Sequence, residues 1–179
     1  LKAIGKVGQN RDNQGLSEYS IAASATAIYQ GDPVEMLATG TIGVAAAGDT
    51  LLLGPLTGVF YTDASTSKPT WANHLNASNT ATDIVGFVSD DPYERFEVQA
   101  DGATAAADVG LNADIVYAAG SSPDYVSKVE LDISDKKAGS AQLRMMGISK
   151  DPSNDTAGSA NVNLVVMINE HFLKGTVGI

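Results

Sequence analysis

Four carboxylates lie close together in the middle of this chain and are the first residues to consider for chemistry. Asp90 and Asp91 are followed by Glu94 and Glu97. A glycosidase needs two carboxylates on either side of one glycosidic bond, so Asp90 and Glu94 form a candidate acid–base pair. The run Asp-Asp-Pro-Tyr is also a typical turn, in which Asp accepts backbone N–H bonds and Pro fixes φ. The sequence favours the turn, and we expect no enzymatic activity from these residues.

Other residue types that support catalysis or metal binding are sparse. His74 and His171 lie far apart in the sequence, and no Gly-x-Ser-x-Gly nucleophile motif is present. Cysteine is absent, and neither 90–94 nor 151–155 has the ligand spacing of a calcium loop. The glycines between 40 and 58 lack the Gly-Lys-Ser/Thr of a phosphate-binding loop. We therefore predict no catalytic residue, no metal and no cofactor.

Short apolar runs, cut by turn-forming pairs such as Gly-Asp, Asp-Pro and Thr-Gly, dominate the chain from Ala25 onward. This pattern predicts an all-β fold, a short-stranded antiparallel β-sandwich or barrel, in which helix is limited to about one turn near 103–107. The predicted strands are 26–29, 34–37, 41–45, 56–61, 84–89, 95–100, 115–118, 142–149 and 162–169.

The pattern also predicts how the chain is organised. Residues 1–24 have too few periodic apolar positions for an independent element and are predicted to form an extended N-terminal arm. Such an arm either adds a strand to a sheet edge of a partner or frays as a free terminus. Residues 25–179 form the β domain, with a polar loop excursion at 62–82. Two hairpins are expected, one joining 84–89 to 95–100 and a central one joining 142–149 to 162–169.

Composition limits both the size of the core and the partners. The 179 residues, 44% of them hydrophobic, are enough for one sizeable core or two small ones that share an edge. The formal net charge of −10 opposes binding to phosphate backbones, so nucleic acid is not an expected partner. No apolar run reaches the roughly 18 residues of a membrane-spanning helix, and no membrane partner is expected.

Several of these turn and strand motifs, in this order, resemble those of structural proteins from tailed bacteriophages of aquatic hosts. The motifs are Ile-Tyr-Gln-Gly-Asp-Pro-Val, Gly-Asp-Thr, Gly-Val-Phe-Tyr-Thr-Asp, Thr-Asp-Ile-Val-Gly-Phe-Val-Ser-Asp-Asp-Pro, Phe-Glu-Val-Gln-Ala-Asp-Gly and Leu-Asn-Ala-Asp, within 28–169. The chain is similar to capsid decoration, or cement, proteins. Gly-Asp-Pro-Val followed by Gly-Asp-Thr also resembles the smaller head decoration proteins, which implies a tulip-like β fold as an alternative.

The resemblance implies a virion structural protein on the outer surface of the capsid. Such a protein binds the head after expansion, clamps neighbouring major capsid subunits and assembles with sister copies, as a homotrimer or alternatively a homodimer. The residues that we expect to contact the capsid or sister copies are Arg11, Asp12, Leu16, Trp71 and His74.

A carbohydrate-binding or adhesin-like module is the alternative, since Ser/Thr/Asn-rich loops and an exposed Trp are features of glycan sites. The low aromatic content, 6% of the residues, weighs against it.

Overall fold

The computed structural model describes residues 1–6, 15–154 and 156–175. Within these ranges the protein is almost entirely β, with 3-10 turns at Ala106–Asp108 and Phe172–Lys174 and no α-helix. The strands are β1 (Lys2–Lys6), β2 (Ser17–Ser20), β3 (Pro33–Met36), β4 (Ile42–Val44), β5 (Leu52–Thr62), β6 (Pro69–Ala72), β7 (Val85–Val88), β8 (Glu94–Gln99), β9 (Asn112–Ala113), β10 (Ile115–Val116), β11 (Glu130–Leu131), β12 (Leu143–Ile148) and β13 (Asn163–Ile168).

Antiparallel sheets pack as a sandwich, which confirms the predicted fold class. The first sheet has the order β1-β8-β13-β12-β9. The second has the order β2-β7-β5-β3-β4, with β6 also paired to β5, and β10 and β11 form a small ribbon. β5 is the longest strand, with 11 residues, and it pairs with β3, β6 and β7.

One of the two predicted hairpins is confirmed and the other is wrong. β12 and β13 are antiparallel neighbours inside the first sheet, as expected. β7 and β8, which flank the Asp90–Asp91–Pro92 turn, lie in different sheets. The turn therefore carries the chain across the sandwich, because β7 pairs with β2 and β5 whereas β8 pairs with β1 and β13. The strand predicted at 26–29 is reduced to a single bridge between Ile28 and Leu75.

The described parts of the predicted arm pair with sheets of the same chain. β1 lies against β8 at one edge of the first sheet, and β2 lies against β7 at one edge of the second. Residues 7–14, which join them, lie outside the described residues. The predicted excursion at 62–82 begins as a hairpin, since β6 returns along β5 before the polar loop starts.

Two hydrophobic cores share β5 as a common wall. Leu52 is buried in a cluster with residues of the first sheet, such as Phe96 and Leu143. The next residue, Leu53, is buried in a second cluster with Ile28 and Leu75. Successive side chains of a strand point to opposite faces, so this Leu-Leu pair places one side chain in each core. The interior agrees with the expectation of two small cores that share an edge.

A buried glutamine ties the sheets together by hydrogen bonds to backbone. Gln142 is fully buried, and its Oε1 accepts a bond from the Ile115 N–H at 3.0 Å. Its Nε2 donates to the carbonyls of Ala46 and Asp49 at 2.7 and 3.0 Å. Because a buried polar group without a partner is costly, these bonds satisfy both the amide and three backbone groups.

Gly54 is the point of closest approach between β5 and the crossover. A Cβ atom at this position would lie 1.9 Å from the carbonyl oxygen of Ser89, the residue that follows β7. The Ser89 N–H in turn donates to the Pro55 carbonyl at 3.2 Å. Only glycine permits this contact, since the neighbouring atom is backbone and cannot rotate away.

We expect Gly54→Ala to lower the free energy of unfolding by about 2–4 kcal/mol, because β5 and the crossover must separate to admit the methyl group. Urea denaturation followed by far-UV circular dichroism measures this. Gly147→Ala in β12 is the matched control, since a Cβ there meets no atom within 4 Å, and its effect should stay within about 1 kcal/mol. Equal stability of the two variants would contradict the proposed constraint.

Candidate functional site

The outer surface of the second sheet carries a group of exposed and half-buried apolar side chains. Burial alternates along β2, β6 and β7, so one side of each strand faces away from the core. The outward residues Phe60, Trp71, Val85 and Phe87 come from β5, β6 and β7, and we call them the aromatic face. Strand pairing sets Phe60 opposite both Trp71 and Val85, so the four side chains form one continuous surface.

The rings of the aromatic face contact one another. Trp71 stacks on Phe87 with centroids 4.9 Å apart and an interplanar angle of 27°, and it meets Phe60 at 5.1 Å and 53°. Gly58 is paired with Phe87 in the ladder and has no side chain to separate the rings of Phe87 and Trp71. Trp71 nevertheless keeps 67% of its surface exposed, which is high for the largest aromatic side chain.

A shallow groove of about 580 Å³ runs beside these rings. Its lining includes Leu16, Thr57, Gly58, Asn73 and the rings of Trp71 and Phe87. A β-bulge between Leu56 and Gly58 turns both Thr57 and Gly58 toward the groove. The Asn73 side chain is already committed, because its Nδ2 donates to Gln30 Oε1 at 3.4 Å and to the Asp124 carbonyl at 3.3 Å. The groove is therefore mainly apolar.

Carboxylates surround the aromatic face. Glu18 is exposed and pairs with Phe87 across the ladder. Asp83 lies at one end of the face. Hydrogen bonds from the Thr62 hydroxyl and N–H lower the pKa of this carboxylate. Hydrogen bonds from Ser65 and Thr66 lower the pKa of Asp63, on the β5–β6 turn, to about 2. Lys68 on the same turn carries the opposite charge, so these three acids face one base among the described residues that border the face.

His74 belongs to a neighbouring ring stack. Its imidazole lies parallel to the Tyr125 ring, with centroids 3.8 Å apart and an interplanar angle of 2°, and Tyr29 lies 6.2 Å from each ring. His74 Nδ1 is 2.8 Å from the side-chain oxygen of Asn73. Burial lowers the pKa of His74, so the ring is neutral near pH 7. This stack fixes the loop that follows β6 and thereby the strand that carries Trp71.

The predicted contact residues fall into three groups. Leu16, which is 43% exposed, and Trp71 line the same groove. His74 lies next to that groove through Asn73, but its ring packs on Tyr125. Arg11 and Asp12 lie outside the described residues. Their roles as contacts stay predictions.

Phe60 and Phe87 were missed by sequence reasoning. Both occupy alternate positions of strands that the sequence does predict, which is the signal that places them on an outward side. The bulge and the pairing register bring them beside Trp71, and neither is encoded by local pattern.

The central carboxylates are engaged in hydrogen bonds. Asp90 accepts from the Tyr19 hydroxyl at 2.6 Å and from the Ser17 hydroxyl at 2.9 Å, which anchors β2 to the crossover. Burial, followed by the bond to Asp90, raises the pKa of Tyr19. Asp91 accepts from the Tyr93 N–H at 2.8 Å, as expected of a turn, and Glu94 is bonded by the Ser89 hydroxyl. Within the described ranges, no group of three His, Asp or Glu side chains is placed to hold a metal ion.

His171 is the most buried ionisable ring of the described chain. It is 3% exposed, and its Nδ1 accepts a bond from the Leu173 N–H at 3.0 Å. Burial and, secondarily, the Lys174 ammonium lower the pKa of His171 to about 4. A neutral imidazole in this position caps the last 3-10 turn and supports the fold.

Comparisons with known proteins give no relative for this chain. No family profile, curated protein or solved structure matches it. In the part of the chain that the structure describes, no helix has the length and apolar character needed to cross a bilayer.

Acid should destabilise the protein through His171. In the unfolded chain the ring takes up a proton near pH 6.5, whereas in the folded protein its pKa is about 4. The unfolded state therefore binds more protons between these values, and stability falls as pH decreases through this window, by about 2–3 kcal/mol in total.

Urea denaturation at several pH values between 7 and 4 measures this loss in the wild type and in His171→Gln, whose amide retains an acceptor for Leu173. The difference in unfolding free energy between wild type and variant cancels the carboxylate contributions and should shrink as pH falls. His74→Gln, at the less buried ring, is the control and should change the pH dependence less. A pH dependence that is the same in His171→Gln and wild type would contradict the assignment.

Proposed function

We propose that this protein is a virion structural protein that docks on the outside of a tailed-phage head and stabilises contacts between major capsid subunits. The observation that carries the proposal is the aromatic face, an exposed apolar surface on the outer side of a sheet in an otherwise acidic protein. Exposed apolar surface of this kind marks interaction sites in proteins that are otherwise well solvated.

The exposed surface of Trp71 is large enough to support weak docking. Burying the remaining exposed surface of Trp71 removes about 150 Å² from water, which contributes about 4 kcal/mol before the costs of association. Tryptophan in a packed contact is also among the commonest hot spots of protein interfaces. Each copy then binds modestly, but the binding free energies of many copies add up over the shell. This free energy stabilises the intact shell, because it is available only while the capsid subunits stay together.

The capsid as the target is supported by the order of the turn motifs. Gly31-Asp32-Pro33 leads into β3, where the buried Asp32 accepts the Tyr29 N–H at 2.8 Å. Leu111–Asp114 surrounds β9, and Ser89–Pro92 is the crossover between sheets. The partners in this proposal are the major capsid protein and sister copies, as a homotrimer or alternatively a homodimer.

A glycan-binding role is the second candidate. Trp71 at 67% exposure, with Phe87 beside it, offers an aromatic platform on which a sugar ring can stack. Sugar sites also present polar groups around the platform, and here the Asn73 amide is already bonded within the protein. The apolar lining therefore favours a protein partner.

The test is co-sedimentation of the full chain with expanded heads of its phage that lack the protein, together with the temperature at which the shells rupture. We expect saturable binding that raises the rupture temperature and a loss of at least about tenfold in affinity for Trp71→Ala, which removes the central anchor. Met146→Ala is the matched control, because Met146 is an exposed apolar residue of β12 in the other sheet. Point variants are preferable to removal of residues 1–24, since β1 and β2 pair with the sheets.

Failure of the protein to bind heads, or equal effects of the two substitutions, would contradict the proposal. Binding of an oligosaccharide on a glycan array that depends on Trp71, without binding to heads, would instead establish the second candidate.

A further inference from the structure

We propose that the partner of the aromatic face is a basic protein surface and that an arginine of this surface stacks on Trp71. This inference rests on the proposed docking function and specifies the chemistry of its partner. It follows from the charges around the face, the area of the face and the geometry of its rings.

The charge around the face selects a cationic partner. Glu18 lies on the strand next to Phe87, Asp83 closes the end of β7, and Asp63 lies on the β5–β6 turn. Among the described residues that border the face, Lys68 is the one base set against these acids. Hydrogen bonds from neighbouring hydroxyl and N–H groups hold Asp63 and Asp83 in the anionic form. Apolar rings with an acidic border complement an apolar surface with a basic border.

A second copy of this chain is a poor partner for the face. The face comes from three strands with at most about two outward positions on each, which gives about 200 Å² at ordinary strand dimensions. Two such faces alone would bury about 400 Å² in total, which is far below a stable dimer. A shell that carries many copies does not need each copy to bind tightly. A two-fold contact would also bring together the acidic borders of two chains that each carry a net charge of −10.

Arginine fits this surface better than lysine. Its planar guanidinium stacks on aromatic rings, and Trp is the best of them. Trp71 packs on Phe87 and meets Phe60, and the 67% of its surface that stays exposed can accept a guanidinium. The guanidinium can also donate two parallel N–H bonds to a carboxylate. Glu18 offers a carboxylate on β2, opposite Phe87 of β7.

The full chain provides its own reporter, because Trp71 is its only tryptophan. The probes are three capped pentapeptides of the same length, Leu-Arg-Leu-Arg-Leu, its Lys counterpart and its Glu counterpart. We expect the Arg peptide to change the Trp71 fluorescence saturably, with a dissociation constant at least fivefold below that of the Lys peptide. The Glu peptide should produce no saturable change in the fluorescence. An increase in ionic strength should weaken the binding of the Arg peptide several-fold.

Charge variants separate this site from general attraction to an acidic protein. Glu18→Gln should raise the dissociation constant of the Arg peptide at least threefold. Glu130→Gln removes the same charge from β11 and should leave the affinity unchanged. Isothermal titration of Trp71→Leu, which keeps an apolar side chain, should show loss of the preference for Arg over Lys.

Equal affinities for the Arg and Lys peptides, or equal losses in Glu18→Gln and Glu130→Gln, would overturn the proposal. Sedimentation that shows a dimer abolished by Trp71→Leu would also overturn it in favour of a second copy.

The head-binding experiment separates this inference from the proposed function. Heads that bind through Trp71 but are insensitive to Glu18→Gln and to salt would overturn only this inference. Selective binding of the Arg peptide together with no binding to heads would support this inference and overturn only the capsid role.

Discussion

The two cores depend on β5 and on its contact with the crossover after β7. The Leu52–Leu53 pair places one side chain in each core, and the absence of a side chain at Gly54 lets the Ser89 carbonyl approach the strand. Had this position carried any other residue, the crossover would be displaced from β5 and with it the exit of β7 toward the other sheet. The same strand then continues to Phe60, so the element that joins the cores also carries part of the aromatic face.

Local pattern predicted most of the strands but not their partners. The runs at 142–149 and 162–169 are apolar, bounded by turn residues and adjacent in sequence, so both the strands and their pairing were predictable. The Asp90–Pro92 turn has the same local character as a hairpin turn, yet it joins two sheets, because β7 pairs with β2 and β5 whereas β8 pairs with β1 and β13. Ile28 lies in a predicted strand, but its partner, Leu75, comes from a loop that no periodicity identifies.

The residues of the candidate site were also predictable only in part from the sequence. The sequence predicted Leu16 as a contact of the arm and Trp71, the only tryptophan of the chain, as a contact of the polar excursion, and both line one groove. Phe60 and Phe87 reach Trp71 only through the register of three strands and a bulge at Gly58, which are properties of the assembled sheet. The turn predicted at Asp90–Pro92 is present, since Asp91 accepts the Tyr93 N–H, whereas Asp90 accepts bonds from the Ser17 and Tyr19 hydroxyl groups of β2.

The attachment of β5 to three neighbouring strands has a mechanical consequence. β3 pairs with the first half of the strand, and β6 and β7 pair with the second half, where the aromatic face lies. Ladder hydrogen bonds run perpendicular to the strands, so a pull directed along β5 strains these bonds in parallel, as shear, and does not break them one after another. A load directed along β5 is thus transferred to both cores at once, because the Leu52–Leu53 pair of this strand belongs to both.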